Sequence, residues 1–198
     1  MSSANSQQQS PSSRPVYAPS VFELALRVQN LGPGALVLID GASGTGKTTL
    51  ASEIERVLSG VDVPLVIHMD DLYPGWGGLE QGIRNLHEWI LAPRADGKAV
   101  TWKKYDWAVN EFGAESSLDT SRTVIVEGCG ALGLGAHNHA DLSLWVSADD
   151  DLRRTRALAR DPAEDFARHW DAWDQQFTVY VDRDAPGTHA NLHVRSGE

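Results

Sequence analysis

One lysine and three glycines fall within nine residues, Gly41-Ala42-Ser43-Gly44-Thr45-Gly46-Lys47-Thr48-Thr49. The glycines open turn conformations closed to residues with a Cβ, so consecutive backbone N–H groups can converge on one point. A helix that follows directly adds the partial positive charge of its amino-terminal end, and the whole is an anion cradle. Lys47 is spaced to reach the β- and γ-phosphates, and the Thr48 hydroxyl to ligate Mg²⁺. The pattern G-x-x-x-x-G-K-T after an apolar run is the P-loop, and it implies that residues 41–49 bind a nucleoside triphosphate.

Two carboxylates stand where strands should end. Asp70 follows the apolar run Val63 to His68 and would lie beside the P-loop, where an incoming hydroxyl needs a base. Its neighbour Asp71 reads as a turn or solvent residue. Glu127 closes Thr123 to Val126, the Walker-B arrangement in which a carboxylate orients Mg²⁺ or its water. Arg156 and Arg160 are four residues apart on a helix and share a face that can meet a transferring phosphoryl group, with Arg153 one turn earlier. Arg154 faces elsewhere. Cys129, close to the phosphates in sequence, has no base partner that would make it a nucleophile.

These groups need a scaffold. Ser20 can cap a helix whose apolar residues run through Val21, Leu24, Ala25, Val28 and Leu31, ending at Gly32-Pro33-Gly34. Ala35 to Ile39 reads as a buried strand, the residues after the P-loop as a helix to about Leu58, and Val63 to His68 as a second strand. Strand, helix, strand at this spacing is a right-handed parallel crossover. Leu79 to Leu91 has helical periodicity, and Ala99 to Trp107 can be extended. Thr123 to Val126 and Leu142 to Val146 are continuous β-branched or apolar strands. Helices are expected over Asp149 to Asp161 and Pro162 to Val181, the latter with Phe166, Trp170, Trp173 and Phe177 on one face, and a closing strand over Asn191 to Val194. The expected fold is α/β, a five-stranded parallel sheet with helices on both faces, which delivers its site at the carboxyl ends of the strands.

With 198 residues, 41% hydrophobic and 22% charged, the chain suits one domain with a proper core. Its net charge of -10 argues against nucleic-acid or anionic-membrane partners. A single cysteine fits a reducing, cytoplasmic setting. No apolar run approaches the roughly 18–20 residues of a membrane span. The Ser/Gln-rich segment up to Pro15 lacks the apolar core of a signal peptide, so residues 1–18 are expected to be a disordered tail and 19–198 the domain. No motif encodes an oligomeric state.

Taken together, these segments resemble the uridine kinase/phosphoribulokinase-type group of P-loop small-molecule kinases. Gly41 to Thr48 is similar to that group's phosphate loop, Asp70-Asp71-Leu72-Tyr73 to its Asp-Ser-Phe-Tyr motif, Tyr105-Asp106-Trp107 to its Tyr-Asp-Phe segment, and Val126-Glu127-Gly128 to its Glu-Gly strand end. Residues 146–161 resemble its lid helix. The resemblance implies a catalytic base at Asp70, acceptor contacts from Tyr73, Tyr105, Asp106 and Asn110, a metal held by Thr48 and Glu127, and a short lid over about 156–168 carrying Arg156 and Arg160. It also implies ATP and Mg²⁺, with a small-molecule alcohol as acceptor. The ribose-holding Phe-Asp-His-Pro segment of the group is missing between Gly77 and Pro93, and Asn110 replaces its base-reading histidine. The alternative is a nucleotide-binding regulatory NTPase with no small-molecule acceptor.

Overall fold

The computed structural model describes residues 16–60, 63–159 and 165–197. A short strand β1 (Val16–Ala18) leads into α1 (Val21–Leu31), β2 (Leu36–Asp40), α2 (Lys47–Val57) and β3 (Leu65–His68). Next come α3 (Leu79–Asn85), a π-helical stretch over Leu86–Leu91 and α4 (Ala92–Ala95), then the hairpin β4 (Val100–Asp106) and β5 (Glu111–Leu118). The chain finishes with β6 (Val124–Glu127), β7 (Leu142–Ser147), α5 (Asp150–Ala159), α6 (Asp165–Asp184), α7 (Pro186–His189) and β8 (Leu192–Gly197).

The main sheet has the order β1-β8-β7-β2-β6-β3. Its last five strands in that order are parallel, as expected, and β1 adds an antiparallel edge along β8. Residues 16–18, expected in the tail, are instead a strand: Val16, Tyr17 and Ala18 find ladder partners in Gly197, Ser196 and Arg195. Side chains alternate across a strand, so β2 feeds two cores. Leu36 and Leu38 meet α3, the π-helical stretch and α6, whereas Val37 and Ile39 meet α1 and α2. Each of these four residues is fully buried, which contributes about 1.5–3 kcal/mol apiece.

The helix signals work largely as read. Ser20 caps α1 in a reciprocal capping box with Glu23, and Gly32 ends it at φ 86°. Asp149 accepts from the Asp151 and Leu152 amides at the start of α5. Phe166, Trp170, Trp173 and Phe177 bury one face of α6. Two readings change. The helix from Leu79 continues through the π-helical stretch to Ala95, with Pro93 in the first turn of α4 directly after it. The extended segment near Trp107 is half of a separate two-stranded sheet, its partner β5 having no apolar alternation to announce it. Among the described residues, no helix is long and apolar enough to cross a membrane.

Candidate active site

The turn from β2 to α2 is built by close approach. At Gly44, φ 79°, a Cβ would lie 1.8 Å from the Arg153 carbonyl oxygen, so only glycine lets α5 pack on the loop. Behind the loop, Asp40 is fully buried. Its carboxylate accepts from the amides of Gly41, Gly130 and Leu132 at 2.6, 3.0 and 2.8 Å, and from the Tyr180 hydroxyl at 2.6 Å. Burial pushes the Asp40 carboxyl upward, and the Tyr180, Leu132 and Gly41 donors and Lys47 act against that shift. The same burial raises the Tyr180 phenol, keeping it a donor.

In front of the loop lies a cavity of about 670 Å³. Its wall includes Ser43, Gly44, Gly46, Lys47, Thr48 and Thr49 of the loop and the start of α2. Of the nine residues expected to bind nucleotide, Gly41, Ala42 and Thr45 lie outside this wall and serve the loop itself. The Thr45 hydroxyl and the Lys47 ammonium both donate to the Ala42 carbonyl at 2.9 Å. Lys47 is also 3.7 Å from the Cys129 sulfur, a thiol that burial pushes up. Ser43 is fixed by the Trp173 indole N–H at 3.1 Å.

Glu127 ends β6 beside this wall and is buried. Its Oε1 accepts from the Thr48 hydroxyl at 2.9 Å and lies 2.6 Å from His68 Nδ1, and this carboxylate contact raises the His68 imidazole above its ordinary value. Parallel pairing of β3 with β6 sets His68 opposite Glu127. A hydroxyl and a carboxylate oxygen at the head of α2 are hard donors of the kind Mg²⁺ takes, so the residues present fit that ion.

The same cavity is also lined by Asp70, Tyr73, Trp76, Trp107, Asn110, Phe166 and Trp173. Asp70 is exposed in the turn after β3, and its backbone oxygen accepts from the Trp107 indole at 3.0 Å. Trp76 and Trp107 meet at 4.9 Å between ring centroids. Asn110 reaches the cavity from the hairpin turn at φ 58°. Tyr73 is buried and its hydroxyl donates to the Cys129 carbonyl at 2.6 Å, so it braces the wall.

Several expectations need correction. Tyr105 and Asp106 do not line the cavity. Tyr105 is buried against Trp107 and Phe112 next to the hairpin turn, and Asp106 holds that turn by accepting from the Ala108 amide. Asp71 is buried and pairs with Lys104 of β4 at 2.9 Å, so it anchors the hairpin. Arg153 is turned to Asp150, Asp174 and the Trp170 ring. Arg156 does line the cavity, donating from Nη1 to Ser196 Oγ at 2.8 Å and from Nη2 to the Gly197 carbonyl at 2.6 Å. Arg160 and residues 161–164 of the expected lid lie outside the described residues. Asp40, Tyr180, Trp173 and His68 are the site residues that spacing did not single out.

No family model matches the chain. Curated relatives do. It is 31% identical to the uridine kinase of Lactobacillus johnsonii over 145 residues, 65% of this chain and 68% of the relative. It is 29% identical to the uridine kinase of Brevibacillus brevis over 149 residues, 68% and 69% of the two chains. A solved structure described as a possible uridine kinase from Bacillus stearothermophilus superposes with a TM-score of 0.57 at 19% identity, covering 86% of this chain and 98% of that one, and supports the fold.

Proposed function

The chain belongs to the uridine kinase family, and we propose that it transfers the γ-phosphoryl group of ATP to a hydroxyl of a nucleoside-like small molecule. The observation that carries this reading is the shared cavity: Asp70 lines the same space as Lys47, Thr48 and Glu127. A carboxylate there is suited to accept or orient an alcohol proton, while the lysine and loop amides neutralise charge at the phosphates. Thr48 and Glu127 would hold Mg²⁺, which when bound supplies charge neutralisation across the phosphates. Arg156 adds positive charge at the cavity wall. Trp76 and Trp107 give the acceptor end a flat apolar surface against which a heterocyclic ring can stack.

The catalytic, metal and acceptor roles named here are part of the proposal. The test is a panel of nucleosides, sugars and vitamin precursors incubated with the protein, ATP and Mg²⁺. ADP release that requires a nucleoside, with a phosphorylated product of matching mass, is the expected result. ADP release indifferent to every acceptor would overturn it in favour of a regulatory NTPase.

A further inference from the structure

We infer that Tyr17, from the amino-terminal edge strand β1, is a positioning residue of the phosphate loop. Its phenol donates to the Gly46 carbonyl at 2.7 Å. Gly46 is the residue that starts α2, in the left-handed region at φ 93°, and its carbonyl also takes the first helical hydrogen bond from the Leu50 amide at 2.9 Å. A carbonyl oxygen has two lone pairs, so both donors are accommodated. The peptide unit is planar and trans, which makes the Gly46 oxygen and the Lys47 N–H opposite ends of one rigid plate. Holding the oxygen from outside fixes the direction of that N–H, one of the amides the loop turns toward an anion.

Tyr17 is well placed to do this. It is 7% exposed, and the antiparallel ladder sets it opposite Ser196, itself 1% exposed. Ser196 takes the Arg156 guanidinium. Two residues facing each other across β1 and β8 therefore hold two separate parts of the cavity wall, the head of α2 and the arginine of α5. Burial pushes the Tyr17 phenol up to about 12, so it keeps its proton at neutral pH.

This role rests on reading the loop as a triphosphate cradle, so its test is nucleotide binding with no acceptor present. Titration calorimetry of the full chain with Mg·ATP should show Tyr17→Phe binding roughly 3- to 10-fold more weakly than wild type, the span of one net hydrogen bond. In steady-state assays the KM for ATP should rise while the KM for the acceptor stays put, and the thermal midpoint should stay close to wild type. Unchanged Mg·ATP affinity in Tyr17→Phe would overturn the assignment. So would a fall in affinity for both substrates that tracks a lowered midpoint, which would mark a purely structural residue. Wild-type protein that binds Mg·ATP but phosphorylates nothing would instead sink the kinase reading and leave this comparison standing.

Discussion

The Tyr180 hydroxyl donates to the Asp40 carboxylate across 2.6 Å, joining the long helix α6 to the strand that delivers the phosphate loop. Both groups are buried, and removal of the phenol oxygen leaves the carboxylate with its three backbone donors. Tyr180→Phe should therefore lower stability by about 1.5–3 kcal/mol, the range for hydrogen bonds to charged groups. Asp40→Ala should cost more, because the Gly41, Gly130 and Leu132 amides lose this acceptor. Urea denaturation of the three proteins checks the order, and a Tyr180→Phe curve lying on the wild type would contradict it.

Lys47 and Asp70 line one cavity and are assigned different work. Lys47→Ala is expected to lose nucleotide binding and activity together. Asp70→Asn should keep Mg·ATP affinity and lose about 10²–10⁴ in kcat, the usual span for a general base. Equal loss of nucleotide affinity in both variants would remove Asp70 from the acceptor side.

Glu127 is shared by Thr48 and His68 on one oxygen. Glu127→Gln removes the negative charge and keeps the shape, so Thr48 should remain in place while metal binding weakens. The Mg²⁺ concentration giving half-maximal turnover should rise by about 10- to 100-fold, as for lost metal-site partners elsewhere. A Mg²⁺ dependence identical to wild type would show that the carboxylate does not serve the ion.

Asp184 accepts two bonds from Arg183 and one from the Leu134 amide, and the Arg183 guanidinium holds its carboxyl below the usual carboxylate range. A depressed folded value means that this carboxylate stabilises the fold above the unfolded value of about 3.9, and that the gain is lost as pH falls through the lower folded value. Asp184→Asn should therefore trail the wild type in thermal midpoint at neutral pH and converge with it in acid. A gap that stays constant from neutral to acid pH would rule out the ionic contribution.

Much of this arrangement is legible in the sequence because it is local or set by strand ends. Gly44, Lys47 and Thr48 are fixed by spacing within one turn, and Asp70 and Glu127 follow apolar runs that deliver them to the same edge of the sheet. Tyr17, Trp173 and Tyr180 are not legible this way. They reach Gly46, Ser43 and Asp40 from 29, 130 and 140 residues away, and nothing in their neighbourhoods names those partners. Tyr105 and Asp106 failed as acceptor contacts for a related reason. Their motif sits on a hairpin whose second strand, with Glu111, Glu115, Ser116 and Ser117 exposed, carries no periodic signal. Which side of that ribbon meets the cavity is decided by packing, and it is Trp107 and Asn110 that do so.

Among the described residues, the β4–β5 ribbon pairs with no strand of the main sheet, and two strands alone are marginal in water. Amide protection within it should consequently be lost in a single step at low cost, while β2 and β6 stay protected up to global unfolding. The acceptor end would thus be remade with every such excursion, and the phosphate end would persist through it.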